Sequence, residues 1–301
     1  MAPKKGDLLK GVPRNWHTFL DLAQPDNGPG DSRVVLLPVP YDSTTSYRGG
    51  SRYGPRAILN ASRHLEDYDL ELDRDVSAMG IYTTPEIEPD MSGPRAMVDR
   101  VEQAVRAVAA PGRLVGLLGG EHTVTTGAVR ALKDSYADMA VLYFDAHADL
   151  RDEYMDAPWG HASVARRINE MVPTVHVGVR TICFEERDFI RANSLPVFFW
   201  PNAPLEQQDI AASIVSALPD NVYVSIDLDV IDPALMPGVG TPEPGGLSWA
   251  EITRILRAVG ESKKIVGFDV VELAPEEGPE SCAYIAAKLA YKVMAYATIY
   301  S

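Results

Sequence analysis

Residues 139–149 read Met-Ala-Val-Leu-Tyr-Phe-Asp-Ala-His-Ala-Asp, and this stretch decides the fold. Met139 to Phe144 is a short, unbroken apolar run, the mark of a strand buried on both faces of a parallel sheet. It stops at three polar side chains spaced two apart: Asp145, His147 and Asp149. In extended backbone, residues i, i+2 and i+4 point to one side. These three are therefore expected to converge, while the small Ala146 and Ala148 let the backbone pack closely behind them. Ligands of parallel α/β sheets collect beyond the carboxyl ends of the strands, which is where this cluster falls.

Working outward, the same apolar run with a polar end recurs. Leu117–Leu118 leads into Gly119-Gly120-Glu121-His122, Val222–Ile226 into Asp227-Leu228-Asp229, and Phe268 into Asp269-Val270-Val271-Glu272. Buried strands are predicted at 33–39, 113–118, 139–144, 174–179, 196–199, 221–226 and 264–268. Helical spacing lies between them. Met97, Val101, Val105 and Val108 share one face after the start signals Ser92 and Pro94. Residues 122–133, 161–171, 204–217, 248–259 and 280–300 are read as helices too, with Lys288 and Lys292 expected on a wet face of the last. Strand and helix alternating at this spacing predict an α/β fold, a mostly parallel sheet with helices on both faces. Residues 1–30, rich in Gly, Pro and Asp, read as an irregular arm, and 31–301 as a single domain.

The chain has 301 residues, 46% apolar and 23% charged, which is ordinary for a globular protein and foreign to a disordered one. Its net charge of −14 is the wrong sign for a phosphate-binding surface. Lys4, Lys5 and Lys10 form only a thin basic cluster, so nucleic acid is not an expected partner. The acidity suits a cationic small molecule, or serves solubility alone. No stretch approaches the roughly 18 apolar residues of a membrane-spanning helix, and no apolar core follows the charges of residues 1–14 as in a secretory signal. Neither a membrane partner nor export is expected. Cys183 and Cys282 are too few for a disulfide framework or a zinc knuckle, and read as packing thiols in a reducing, cytoplasmic compartment.

A single Asp-x-Asp is ordinarily a solvated loop or a helix cap. Four strands that end in carboxylate or imidazole at one crevice are harder to explain that way. Carboxylates gathered so closely repel one another, and some must protonate unless cations neutralise them. Asp145, Asp149, Asp227 and Asp229 carry four negative charges, which two divalent ions balance, and His122 and His147 complete the shells. A carboxylate-dominated set suits Mn²⁺ better than the thiolate-rich sets of structural zinc, and ligand type leaves nickel, cobalt and iron open. Two such ions roughly 3.5–4 Å apart hold a water between them and bring its pKa toward neutrality.

Gly-Gly-Glu-His (119–122), Asp-Ala-His-Ala-Asp (145–149), Ser-Ile-Asp-Leu-Asp-Val-Ile-Asp-Pro (225–233) and Asp-Val-Val-Glu (269–272) together resemble the ureohydrolases, the arginase and agmatinase family. The likeness is collinear, running from Pro40-Tyr41-Asp42 and Gly49-Gly50-Ser51-Arg52-Tyr53-Gly54-Pro55 to the last helix. The resemblance implies a three-layer α/β/α catalytic domain with an arginase-like sheet, a centre of two Mn²⁺ per subunit, and hydrolysis of a guanidinium group to urea and an amine. By position, His122, Asp145, Asp149 and Asp227 resemble the ligands of one ion. Asp145, His147, Asp227 and Asp229 resemble those of the other, with Asp145 and Asp227 bridging. Relatives are commonly trimers or hexamers, so a homotrimer or homohexamer is expected on resemblance alone.

A guanidinium carbon is a poor electrophile, and the planar cation must be gripped while a nucleophile is held on its face. Glu272 is the candidate grip, since a carboxylate can receive two parallel N–H bonds. Asp149 is placed to accept a proton and hand it on. His161, at a helix start in Gly160-His161-Ala162-Ser163, resembles the family's proton-relay histidine and is assigned to both substrate binding and catalysis. His17, His64 and His176 read as structural.

Between Leu150 and Asp156 three acids stand against Arg151, which favours an amine tail, with Asp152 and Glu153 as candidates to hold it. The Gly- and Pro-rich loop 238–246 reads as a rigid pocket wall. Agmatine, giving putrescine and urea, is the first expectation. An aminopropyl-extended agmatine comes next, then guanidinobutyrate, arginine and formimidoylglutamate, whose carboxylates Arg151 would hold. Two rivals remain. A metal-binding sensor explains the ligands but has no use for Glu272, and a single-zinc deacylase would leave His122 and Asp149 outside its shell.

Overall fold

Apolar runs become strands and amphipathic stretches become helices throughout this computed structural model, which describes residues 15–24, 29–201 and 209–300. The first half contains β1 (Val34–Val39), α1 (Gly54–Ser62), β2 (Tyr68–Asp69), β3 (Arg74–Asp75), β4 (Ile81–Thr83), α2 (Pro94–Val108), β5 (Leu114–Gly119), α3 (Thr125–Leu132) and β6 (Ala140–Phe144). The second half contains α4 (Val164–Asn169), β7 (Thr174–Val177), α5 (Phe184–Asn193), β8 (Val197–Phe198), α6 (Ile210–Ala217), β9 (Asn221–Asp227), α7 (Trp249–Ser262), β10 (Lys264–Val271) and α8 (Ser281–Ile299). Eight strands form one sheet in the order β4-β1-β5-β10-β9-β6-β7-β8, with β2 and β3 as a separate antiparallel pair. Every pairing in the large sheet is parallel.

Side chains that alternate along a strand sort into two cores. Val34 and Leu36 of β1, Leu142 and Phe144 of β6, and Val222, Val224 and Ile226 of β9 pack on one face with α1, α6, α7 and α8. Val35, Leu37, Val39, Val141, Tyr143 and Tyr223 pack on the other with α2, α3, α4 and Ile190 of α5. The result is three layers, helix on sheet on helix. Each fully buried aliphatic side chain contributes about 1.5–3 kcal/mol of transfer free energy, so continuous apolar runs hold the central strands in place. The helices start where their sequences say. Pro94 opens α2, and Ser248 caps α7, its hydroxyl accepting from the Glu251 N–H while the Glu251 carboxylate takes the Ser248 N–H.

Register positions the site. Leu118 pairs with Val270, Val270 with Ile226, and Ile226 with Phe144. β5, β10, β9 and β6 are thus adjacent and level, and the residues beyond this row all emerge at one edge. β5 and β6 follow one another in the chain, yet β10 and β9 lie between them, so the polar ends of four strands meet over a crevice.

Several expectations change. The seven anticipated strands are present with changed bounds, β9 and β10 running further than anticipated, and β4 was not anticipated. Nor were α1, α5 or the β2–β3 pair. Within the anticipated helix 204–217, residues 204–208 lie outside the described residues and α6 runs from Ile210 to Ala217. Much of the N-terminal arm, with Lys4, Lys5 and Lys10, also lies outside them. Phe19, in a short 3₁₀ turn within the arm, is fully buried and donates its N–H to Thr83 Oγ1 at 3.1 Å.

Lys292 is not on a wet face. It is buried, its Nζ 2.7 Å from both Asp69 Oδ2 and Glu71 Oε2. Lys288 is half-buried over the Tyr291 ring. A spacing of four along α8 cannot reveal that the β2–β3 pair, more than 200 residues earlier, folds over it.

Candidate metal centre and active site

The Asp145–Asp149 segment converges, although not by the anticipated pleat. The strand ends at Phe144, and Asp149 adopts a left-handed conformation with φ 51°. The chain turns because Asp145 Oδ1 accepts the His147 N–H at 2.6 Å and Asp229 Oδ1 accepts the Ala146 N–H at 2.9 Å. The β9 end does likewise, Asp227 Oδ1 accepting the Asp229 N–H at 2.8 Å at the start of a short 3₁₀ turn. Carboxylates that shape these two turns also supply the donors of the centre.

Two compact sets of metal-type donors result: His122, Asp145 and Asp227, and Asp145, His147 and Asp229. They share Asp145. His122 Nδ1 lies 3.1 Å from Asp145 Oδ2, 3.4 Å from Asp227 Oδ2 and 3.5 Å from Asp149 Oδ2. His147 Nδ1 lies 2.9 Å from Asp229 Oδ2 and 3.4 Å from Asp145 Oδ1. Asp149 stands outside both compact sets and takes the Tyr143 hydroxyl at 2.8 Å.

The electrostatics favour divalent cations. Burial, with the charges of Asp149 and Asp229, pushes Asp145 up to about 7. Burial and the same kind of repulsion carry Asp227 well above the carboxylate range. Burial opposes charging of His147, yet Asp229 and Asp145 overcome it and raise the imidazole to about 12. The cluster thus retains protons to offset its own negative charge, the task a pair of cations performs. Asp145 Oδ2 is buried without a hydrogen-bond donor, a lone pair aimed into the cluster.

Residues behind the donors orient them. His122 Nε2 lies 2.8 Å from Ser225 Oγ, and the Ser225 hydroxyl donates to Asp269 Oδ1 at 2.8 Å. Because that hydroxyl proton is taken, Nε2 donates to Ser225, which leaves Nδ1 facing the carboxylates. Tyr223 donates to the second Asp269 oxygen at 2.8 Å, and Tyr143 stacks on the His122 ring at 4.5 Å. This support was missed in the sequence. Its signal was Tyr223, Ser225 and Asp227 at alternate positions of an otherwise apolar strand.

Glu272 follows β10 with φ 65°, half-buried, Oε1 accepting the His122 N–H at 2.7 Å. Burial, then the charges of Asp227 and Glu121, raise its carboxyl well above the ordinary value. His122, His147, Asp149, Asp227, Glu272 and His161 line one cavity of about 220 Å³. Asp152 and Glu153 do not. Asp152 is exposed and paired with Arg167, and Glu153 is exposed on the same loop, while their neighbours Arg151 and Tyr154 face the cavity. An alternation within an irregular loop gave no way to tell which of four adjacent residues turned inward. Cys183, read as a packing thiol, also lines the cavity, whereas Cys282 is buried. His176 is buried against Tyr143.

A parallel α/β sheet with carboxylate and imidazole donors gathered at its central strand ends offers a site that could hold metal ions. The chain belongs to the Arginase family, whose model matches residues 32–296. It is an agmatinase-like ureohydrolase. It is 41% identical to the N(1)-aminopropylagmatine ureohydrolase of Synechocystis sp., over 88% of this chain and 89% of that protein. It is 37% identical to the agmatinase of Pyrococcus horikoshii, over 91% and 95%. The crystal structure of proclavaminate amidino hydrolase from Streptomyces clavuligerus matches with a TM-score of 0.87 at 28% identity, covering 94% of this chain and 97% of that one. Among the described residues, no helix is long and apolar enough to cross a membrane.

Proposed function

We propose that this enzyme hydrolyses the guanidinium end of an alkylamine, N(1)-aminopropylagmatine ahead of agmatine, to urea and a polyamine, using two Mn²⁺ per subunit. The observation that carries the reaction is Asp145, shared by two His/Asp sets at the floor of a cavity whose wall holds the half-buried carboxylate Glu272. His122, Asp145, Asp149 and Asp227 would hold one ion, and Asp145, His147, Asp227 and Asp229 the other. When bound, such a pair supplies Lewis acidity and a water whose pKa lies near neutrality.

The protein's own groups do the rest. Glu272, at the cavity wall with one carboxylate oxygen on the His122 N–H, receives the planar N–H edge of the substrate and turns the face of its carbon toward the floor. Attack makes that carbon tetrahedral and requires a proton to leave the water. Asp149, which lines the cavity beside the donors, accepts it. His161, at the cavity wall, delivers a proton to the departing amine nitrogen.

The order of substrates departs from the first expectation, which put agmatine ahead. The higher identity to the Synechocystis enzyme supports the longer amine. The wall supports an amine tail in general. Tyr47 and Tyr154 give the wall aromatic surface for methylenes, each with an arginine over its ring, Arg48 at 5.0 Å and Arg151 at 4.7 Å, and Arg48 is neutralised by Glu277 at 2.9 Å. A steady-state panel of aminopropylagmatine, agmatine, guanidinobutyrate, arginine and formimidoylglutamate tests this, with kcat/KM expected to fall in that order. A carboxylate-bearing substrate in first place would refute the amine-tail reading, and no urea from any would favour a sensor. Metal analysis separates two ions per chain from the single ion of a deacylase. We take the enzyme to work in the cytoplasm as a homotrimer or homohexamer, which fractionation and sedimentation test.

A further inference from the structure

We propose that Glu121, acting through Thr44, fixes the tautomer of His161 so that Nε2 is the basic nitrogen presented to the cavity. The inference rests on the reading of His161 as the proton-carrying group. Glu121 lies between two residues of obvious purpose, Gly120 and His122. A Cβ at position 120 would sit 2.0 Å from the Tyr41 carbonyl oxygen, so the absence of a side chain lets the 41–48 loop dock against this turn. The Glu121 N–H secures the same loop by donating to the Tyr41 carbonyl at 2.7 Å.

The fully buried Glu121 carboxylate then reaches Thr44 twice. Oε2 accepts the Thr44 N–H and Oε1 accepts the Thr44 hydroxyl, each at 2.8 Å. A hydroxyl has one proton and two lone pairs, and the Thr44 hydroxyl directs its proton at Glu121 Oε1. The single Thr44 proton is therefore committed to Glu121. Whatever else meets Oγ1 must donate to it. Two groups do meet it, both from His161: the backbone N–H at 3.0 Å and ring Nδ1 at 3.4 Å.

Nδ1 must then carry the hydrogen, and Nε2 carries the lone pair. Nε2 lies 3.1 Å from Ser46 Oγ, a hydroxyl free to rotate and donate until substrate arrives. Tyr154 stands edge-on to the ring and limits its tilt. Glu121 and Thr44 touch neither substrate nor the reacting atoms. They are positioning residues, acting across 77 and 117 positions of sequence.

The test reads ring ¹⁵N shifts in ¹⁵N-histidine protein loaded with Mg²⁺, at alkaline pH, with the His161 signals identified by their loss in His161→Gln. The wild type is expected to hold the Nδ1–H form. Thr44→Val keeps the backbone bond to Glu121 but loses the acceptor, and is expected to move His161 toward Nε2–H. Thr44→Ser is expected to restore Nδ1–H. Glu121→Gln points an amide N–H at Thr44 Oγ1, frees its proton for Nδ1 and is expected to raise the Nε2–H share. In turnover, Thr44→Val is expected to lower kcat by about 10-fold or more with KM within about 2-fold, and Thr44→Ser to recover most of it. An Nε2–H wild type, or Nδ1–H persisting in Thr44→Val, would overturn the proposal. A wild-type protein that turns over no guanidino compound would defeat the functional reading and leave the tautomer result intact.

Discussion

Replacing Asp145 by Asn and, separately, Asp229 by Asn gives two centres that differ in a way the structure dictates. Asp145 belongs to both donor sets, whereas Asp229 belongs only to the one with His147. At about 4 Å and an effective dielectric near 20, a unit charge contributes about 4 kcal/mol to a monovalent partner and about 8 to a divalent one. Asparagine keeps a carbonyl oxygen at the same place, so roughly half of that is lost, about 4 kcal/mol. The affinity of each affected ion should fall on the order of 10³-fold.

Asp145→Asn is therefore expected to weaken both ions, and Asp229→Asn one, with His122, Asp145 and Asp227 left as an intact set. Equilibrium dialysis against low Mn²⁺ with metal counted per chain measures this directly, and urea release gives the parallel loss of turnover. An Asp145→Asn protein that keeps both ions and full activity would refute the shared-donor reasoning. Equal loss of both ions in Asp229→Asn would refute the assignment of sets.

Glu272→Gln keeps the shape and the His122 N–H contact but removes the charge offered to a guanidinium. Metal content should be unchanged while kcat/KM falls by about 10²-fold or more, as for a lost charge-assisted pair of about 3 kcal/mol. Lys292→Met strands Asp69 and Glu71 without their cation. The cost should be about 3 kcal/mol, near the low end for a broken buried pair because Glu71 is a third exposed, read as a drop in the urea midpoint.

Burial opposes the charge on Asp69 and Glu71, but the Lys292 hydrogen bonds hold both carboxyls below their ordinary values. Their stabilisation is thus complete above the unfolded carboxylate pKa of about 4 and lost as pH falls below it, a loss that Lys292→Met should not show. His176 behaves oppositely in chemistry and alike in direction. Burial lowers its imidazole to about 4, so the unfolded chain binds a proton first and stability falls between about pH 6.5 and 4, by about 3 kcal/mol. Urea denaturation across that range should show the fall in the wild type and not in His176→Asn.

The candidate centre was legible because its chemistry is local. Each donor sits directly after an apolar run, so an Asp or His that is costly to bury appears where a strand must end. Asp152 and Glu153, the tail-binding candidates, do not line the cavity, for the converse reason. Within an irregular loop no periodicity says which side chain turns inward, and Arg151 and Tyr154 took the places at the cavity. The wet face assigned to Lys292 failed because an ion pair with Asp69 and Glu71 outweighs the ordinary preference of lysine for water.

By itself the sequence determined the layers and the edge at which the donors emerge, since alternation and apolar run length are properties of neighbouring residues. Only the tertiary structure decided which strands lie side by side, and that Ser225, Asp269, Glu121 and Thr44 stand behind the histidines. Those contacts join residues separated by tens to more than a hundred positions. Hydrogen bonds act over about 3 Å of space, whatever length of chain lies between their ends.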